Sequence, residues 1–159
     1  MVLVHGFGDF GATPLTEAAA ATGSTQAMAR KLRRRQLPLP GGGPGTISWV
    51  HVADAVTATV AALERGRPGE VYNVVDDEPV RWGDYTAELA RLAEVPPPRS
   101  LPLWLARLLA PFGAGLLTTR LPVSNAKVRR ELGWAPAFPT YREGLAELTT
   151  ARTGVTSDW

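Results

Sequence analysis

The stretch TISWVHVADAVTATVAALERGRPGEVYNVV, residues 46–75, decides the fold because strand and helix signals follow one another in it directly. Residues 46–52 are β-branched and aromatic, which predicts a strand. Asp54 then stands where the first backbone N–H groups of a helix need an acceptor, and the helix predicted for 53–65 ends at the following glycine. The apolar run at 70–75 predicts a second strand. This order indicates one α/β layer unit.

The predicted helix carries an apolar stripe, and the second strand is apolar along most of its length. The stripe repeats at helical spacing, so we expect it to be the buried face; its members are Val52, Val56, Val60 and Leu63. A strand without polar alternation suits a parallel sheet that helices cover on both faces. Asn73 is polar within that strand, and burial would require it to bind neighbouring backbone groups. The sequence thus predicts a parallel sheet, with Asn73 in a structural role.

Length and composition are those of one ordinary globular domain. The chain has 159 residues, of which 45% are hydrophobic and 20% charged. These values predict a single domain over residues 1–150, followed by a frayed tail over 151–159. Cysteine is absent and the two histidines, His5 and His51, do not suffice for zinc, so no metal site is expected. The lack of cysteine also favours a reducing, cytoplasmic setting.

No membrane partner is expected from the apolar segments. The longest apolar region, 101–117, is interrupted by proline, glycine and arginine, so it lacks the roughly 20 apolar residues that cross a bilayer. We expect packed helices there. The first residues form a short apolar run without a preceding positive charge, which does not indicate an export signal.

Five basic residues fall within six positions, from Arg30 to Arg35, although the formal net charge is only +2. Such a run could clamp phosphates, which would make it a nucleic-acid site. The alternative is a solvated helix end. Because the run has no interleaved aromatic side chains to stack on bases, the sequence disfavours nucleic-acid binding.

Four helices are predicted after the second strand, each from its own start and stop signals. The signals are an apolar face within 81–93, Pro102 at the first turn of a helix, Ser124 as N-cap and Gly133 as stop for 125–132, and the capping-box spacing of Thr140 and Glu143 for 141–149.

Three motifs occur in an order that resembles a known family. They are SWVHVAD at 48–54, VYNV at 71–74, and SNAK at 124–127 followed by ELGWAP at 131–136. Together they resemble the C-terminal half of extended short-chain dehydrogenases/reductases, the NAD-dependent epimerase/dehydratase family. The resemblance implies an α/β fold with a partial Rossmann-like parallel sheet of few strands and a mostly helical C-terminal substrate-binding subdomain. It also implies NAD or NADP as cofactor and a small-molecule substrate.

The resemblance also predicts what this chain lacks. Family members transfer a hydride with the help of a tyrosine and a lysine four residues later. The only lysines here, Lys31 and Lys127, have Ala27 and Val123 four positions before them. We therefore expect the pair upstream of Met1, a truncated chain, and no activity of this chain alone. The alternative is a non-enzymatic interaction module that pairs with a complementary dehydrogenase half or forms a homo-oligomer.

The cofactor prediction concerns the loop that follows the first apolar residues. By the resemblance, His5, Gly6, Phe7 and Gly8 line the nicotinamide end of the cleft. The same loop fits G-x-G-x-x-G at 6–11, so a true dinucleotide fingerprint is the alternative. A proline just inside the supposed helix, and no acid about 20 residues further on, disfavour the fingerprint.

Three side chains, Trp49, His51 and Lys127, are the predicted substrate-pocket residues. His51 could act as an acid or base, but its place beside a helix start favours anchoring through hydrogen bonds. Lys127 could face an anionic ligand or solvent. Sugar-nucleotide epimerases of the family usually carry an arginine where Ile47 and Ser48 stand here. The resemblance therefore implies a smaller or less charged substrate.

Overall fold

The fold alternates short strands with helices. The computed structural model describes residues 2–3, 25 and 27–153. In chain order the elements are β1 (Val2–Leu3), α1 (27–33), β2 (Leu39–Pro40), β3 (Thr46–Ile47), α2 (Val52–Arg65), β4 (Tyr72–Asn73), β5 (Val80–Arg81), α3 (Trp82–Leu92), β6 (Ser100–Leu101), α4 (Leu103–Leu109), α5 (Pro111–Thr118), α6 (Ala126–Leu132) and α7 (Tyr141–Thr153). The fold is mixed α/β with a mostly helical second half, as the sequence predicts.

The described strands pair two by two. β1 runs parallel to β4 and β2 runs parallel to β6, which confirms parallel pairing. β3 differs, because it pairs antiparallel with β5. The strand predicted for 46–52 also ends early, at Ile47. Beyond it the hydroxyl of Ser48 accepts a hydrogen bond from the backbone N–H of Val123 at 3.0 Å, so this segment is held by a side chain instead of a sheet partner.

Buried side chains form two hydrophobic clusters. The first joins α2, β4 and α6 through Ala58, Ala61, Tyr72, Val74, Val128, Leu132 and Trp134. The second joins α1, α3 and α7 and contains Leu32, Val80, Tyr85, Leu89, Ala90, Tyr141 and Leu145. The second cluster confirms the apolar face predicted within residues 81–93. In both clusters, helices from the second half of the chain pack against residues from its first half.

α2 packs through a different face from the predicted one. The predicted stripe is exposed, at 57% for Val56, 47% for Val60 and 83% for Leu63. The buried residues of α2 are Asp54, Ala58 and Ala61. The two small alanines allow α6 to lie close, and the indole of Trp134 donates to Thr57 Oγ1 at 3.0 Å. The prediction was wrong because the helix has a second, narrower apolar face. Spacing alone does not say which face packs against the rest of the protein.

β4 is covered on one side only. Tyr72 and Val74 are buried, whereas Val71 is 48% exposed and Asn73 is also exposed. The expectation of a strand buried on both faces is therefore wrong for the described residues. Asn73 is likewise not the buried structural residue that the sequence predicted, because its side of the strand faces outward.

Asn125 provides the tie that was expected of Asn73. Its Nδ2 donates to the carbonyl of Val75 at 2.9 Å and to Asp77 Oδ1 at 2.7 Å. Arg129 Nη1 donates to the same carboxylate oxygen at 2.6 Å. These bonds hold the start of α6 to the loop that follows β4.

The start of α2 also differs from the prediction. The N-cap is His51, whose Nδ1 accepts a hydrogen bond from the backbone N–H of Ala53 at 3.4 Å. Asp54, the predicted cap, lies within the first turn and is buried. Its two carboxylate oxygens accept from the backbone N–H groups of Ala137 at 2.7 Å and Phe138 at 2.9 Å. Asp54 therefore joins two distant segments, a role that local sequence does not reveal.

The ends of the later helices agree better with the sequence. Gly133 ends α6 with φ of 57°, a left-handed conformation that suits glycine. Thr140 Oγ1 accepts from the N–H of Glu143 at 3.4 Å and donates to its Oε1 at 3.0 Å, at the start of α7. Ser124 Oγ accepts from the N–H of Ala126 at 3.2 Å, although the N-cap itself is Asn125.

α4 and α5 expose most of their large apolar side chains. The exposed fractions are 71% for Trp104, 74% for Leu108, 69% for Leu109 and 85% for Phe112. Burial is limited to Ala106 and Ala114, so these helices are less fully packed than expected. Within the described ranges, no helix has the length and apolar character needed to traverse a membrane.

Candidate functional site

A small cavity of about 60 Å³ lies just beyond the C-terminal end of β4. Its lining residues are Thr25, Trp49, Val50, His51, Val52, Asp76, Tyr85, Phe138, Thr140, Tyr141, Gly144 and Leu145. Ligands of open parallel α/β sheets bind beyond the carboxyl ends of the strands, which makes this cavity the candidate site. It brings together Trp49 and His51, two of the three predicted pocket residues.

Aromatic packing holds Trp49 in place. Its ring stacks on Tyr85 with centroids 4.2 Å apart and meets the edge of Trp82 at 5.6 Å. The hydroxyl of Tyr85 lies 3.3 Å from Thr25 Oγ1, and burial raises the pKa of Tyr85 to about 12. Tyr85 is therefore protonated at neutral pH. Trp49 Nε1 is buried without a hydrogen-bond partner among the described residues.

Asp76 is a buried carboxyl in the wall of the cavity. It is 4% exposed, its backbone N–H donates to the carbonyl of Trp49 at 2.6 Å, and its Oδ1 has no hydrogen-bond partner in the described part of the chain. Loss of hydration raises the pKa of Asp76 to about 7. Hydrogen bonds from the backbone of Glu78 and Trp49 oppose the rise, and the nearby carboxylates of Glu78 and Asp77 add to it. A carboxyl with such a pKa can exchange a proton at neutral pH.

Sequence reasoning missed Asp76. The run Asp76, Asp77, Glu78 looks like an ordinary solvated acidic turn between two elements. The available signal was the position of Asp76 directly after the apolar strand. An acid at that point lies at the carboxyl edge of a parallel strand, where site residues of this fold class collect.

His51 serves as an anchor in this arrangement. Besides the helix cap through Nδ1, its Nε2 lies 2.8 Å from Glu147 Oε2. Its ring centroid is 4.1 Å from that of Phe138, and a Cβ at Gly144 would come within 3.4 Å of its Cδ2. Both ring nitrogens of His51 therefore have partners within the protein.

Lys127 lies apart from the cavity. Its Nζ contacts Glu70 Oε2 at 2.6 Å and donates to the carbonyl of Val71 at 3.0 Å. The ammonium also lies 5.0 Å from the centre of the Tyr72 ring. The hydrogen bond that Lys127 donates, together with its positive charge, lowers the pKa of Glu70. The structure thus places Lys127 in a structural ion pair that joins α6 to the start of β4.

The predicted cofactor residues His5, Gly6, Phe7 and Gly8 lie outside the described residues, and their role stays a prediction. Among the residues that the structure describes, no group of three or more His, Asp or Glu side chains is placed to hold a metal ion.

The size of the cavity limits what it can hold. Pockets for drug-sized ligands usually measure about 300–1,000 Å³, several times the volume found here. The described residues therefore form one wall of a site, or a subsite for a small group, instead of a complete pocket for a substrate with its cofactor.

Comparison with known proteins relates the chain to a family. Residues 2–75 match the family described as the NAD dependent epimerase/dehydratase family. This match takes in 74 of the 159 residues, and over it the chain is similar to the epimerase/dehydratase family. The family was expected from three short motifs, and the match confirms that resemblance. NAD or NADP is the cofactor of the family.

Individual relatives agree with the family match. A 3-diazoavenalumate denitrifying reductase from Streptomyces sp is 46% identical over 111 residues, which are 69% of this chain and 36% of that protein. A functionally unknown protein from Silicibacter pomeroyi DSS has a TM-score of 0.63 and 31% identity, over 72% of this chain and 40% of that one. Human epimerase family protein SDR39U1 with NADPH has a TM-score of 0.66 at 18% identity, over 94% of this chain and 45% of that one.

The coverage values limit the comparison. The chain spans about a third of the length of the curated relatives it matches, at 36%, 32% and 34% for three of them. Roughly two thirds of each of these relatives therefore lies outside the match.

Proposed function

We propose that this chain forms the substrate-binding part of an NAD(P)-dependent reductase or epimerase. The part of the relatives that the chain does not cover, here called the cofactor part, would supply the nicotinamide site and the Tyr-x-x-x-Lys pair. Two observations favour this division. The chain covers about a third of its curated relatives, and neither Lys31 nor Lys127 follows a tyrosine at the required spacing.

The observation that carries the proposal is the set of apolar side chains that stay exposed on α2 and, separately, beside β4. Val56, Val60 and Leu63 project from α2, and Val71 lies exposed beside β4. β4 pairs with β1 alone among the described strands, so it is an edge strand there, although the carbonyl of Val71 at its start already accepts from Lys127 Nζ. Exposed apolar side chains and an edge strand suit docking of another sheet, here that of the cofactor part.

Reduction is the more strongly supported of the two reactions. The relative with 46% identity is named as a reductase, and its name gives 3-diazoavenalumate as the compound on which it acts. Ile47 and Ser48 stand where a diphosphate-binding arginine would be expected for a sugar nucleotide. We therefore propose a small substrate without a diphosphate, reduced by NADH or NADPH beside the wall formed by Trp49, His51 and Asp76.

The proposal is tested by adding the separately produced cofactor part of the Streptomyces reductase to this chain. We expect a 1:1 complex in analytical ultracentrifugation, because the apolar faces bury each other. Val60→Asp and Leu63→Asp should weaken the complex by about tenfold or more, since each places a charge in the interface. Leu109→Asp, a matched change on exposed α4, should leave it unaltered. A complex insensitive to both α2 variants would contradict the proposed docking face.

A non-enzymatic interaction module is the second candidate function. The same exposed apolar side chains favour it, because they can also contact a second copy of the chain or an intact dehydrogenase. Nicotinamide turnover by the complex distinguishes the two functions. Complex formation without any nicotinamide turnover supports the module, whereas a strict monomer under all conditions opposes both.

A further inference from the structure

A second cavity, of about 260 Å³, lies between the end of α1 and the proline-rich turn before β6. Its apolar walls include Leu32, Leu37 and Pro97. Its charged lining residues are Arg35 and Arg99, and none of the described residues that line it is acidic. The cavity is therefore a basic pocket with an apolar lining.

The backbone around the cavity is fixed by hydrogen bonds. The N–H of Arg35 donates to the carbonyl of Leu32 at 2.9 Å, and Arg35 takes a φ of 57°, a conformation that L side chains seldom adopt. On the other wall, the N–H of Leu39 donates to the carbonyl of Arg99 at 2.9 Å, next to the parallel pairing of β2 with β6. Both arginines thus extend from ordered backbone.

The two guanidinium groups are not neutralised by carboxylates within the described chain. Other arginines, such as Arg81, Arg91 and Arg142, each form an ion pair with an acidic side chain. Arg35 and Arg99 form no such pair with a described residue. The neighbouring basic residues of the run from Arg30 to Arg35 are exposed and add positive potential at the same end of α1.

We propose that the Arg35–Arg99 cavity binds a small organic anion, a phosphate monoester or carboxylate with one short apolar group. A planar guanidinium offers paired donors that match the oxygens of either anion. The leucine and proline walls would cover the apolar group, and the volume is too small for a dinucleotide. The site is separate from the cavity at Asp76, and it does not depend on hydride transfer.

Isothermal titration of the full chain with phenyl phosphate and with benzoate tests the proposal and distinguishes the two anions. We expect saturable 1:1 binding of at least one of them, weakening as salt is added. Arg35→Gln and Arg99→Gln should each weaken binding by about tenfold or more, because each removes a charge-assisted pair of hydrogen bonds. Both side chains are exposed, so circular dichroism should find the variants folded.

The matched control is Arg67→Gln, which removes an exposed arginine outside the cavity and should leave binding unchanged. Benzyl alcohol, the neutral counterpart, should not bind. The proposal is overturned if neither anion binds, if Arg67→Gln weakens binding as much as Arg99→Gln, or if only long oligonucleotides bind. The last outcome would instead favour a nucleic-acid site on the run from Arg30 to Arg35.

Discussion

Asp76→Asn is expected to raise the free energy of unfolding at pH 8 by up to about 4 kcal/mol. The folded protein holds the pKa of Asp76 near 7, well above its ordinary value of 3.8, so folding favours the protonated carboxyl. The unfolded chain ionises first as pH rises, and the native state is destabilised progressively between about pH 4 and pH 7. Each unit of difference corresponds to about 1.4 kcal/mol. Asparagine stays neutral, so the variant does not lose stability in this way as the pH rises.

Urea unfolding of wild type and Asp76→Asn at pH 5 and pH 8 measures the effect. The difference between the two proteins should be small at pH 5 and large at pH 8. Taking the difference cancels the contributions of Glu70 and Glu88, whose pKa values are lowered by Lys127 and Arg91. The new amide N–H group also needs a partner, which reduces the gain. A difference that does not change with pH would contradict the buried, protonated carboxyl.

Asp54→Ala is expected to lower the free energy of unfolding by about 3 kcal/mol. The carboxylate of Asp54 is 1% exposed and accepts two backbone hydrogen bonds from Ala137 and Phe138. Hydrogen bonds to a charged group contribute about 1.5–3 kcal/mol each, and the alanine variant leaves both N–H groups without their acceptor. Phe138 belongs to the cavity wall, so the loosened loop should also disturb the candidate site.

Asp54→Asn and Glu64→Ala are the matched variants for this experiment. Asparagine keeps one acceptor oxygen in place and should cost less than alanine. Glu64→Ala removes an exposed acid of the same helix and should change stability by less than about 1 kcal/mol. If Asp54→Ala unfolds at the same urea concentration as Glu64→Ala, the carboxylate does not hold the 137–138 loop.

The sequence predicts those structural features that depend only on residues close together in the chain. The existence of α2 and α3, the stop at Gly133 and the paired cap at Thr140 and Glu143 all follow from spacing and backbone preference. The family followed from motif order, which comparison confirmed. Such features need no knowledge of distant partners.

Features that depend on distant partners were missed. α2 carries two apolar faces, one that includes Val60 and one that includes Ala58 and Ala61. Only the position of α6 decides which of the two faces is buried. In the sequence Asp54 fits the pattern of a helix cap, because its hydrogen bonds with residues 137–138 form only in the folded chain. Asp76 is unusual because its carboxyl is buried in the wall of the cavity, which the sequence around it does not indicate.

We propose that this chain supplies the substrate side of a nicotinamide-dependent enzyme and that the segment corresponding to the cofactor part of its relatives supplies the nicotinamide. The most direct test is oxidation of NADPH and NADH with 3-diazoavenalumate, followed by the absorbance of the reduced nicotinamide, for the chain alone and with the cofactor part of the Streptomyces reductase. We expect no turnover by either component alone and clear turnover by the mixture. Steady oxidation by the isolated chain would contradict it.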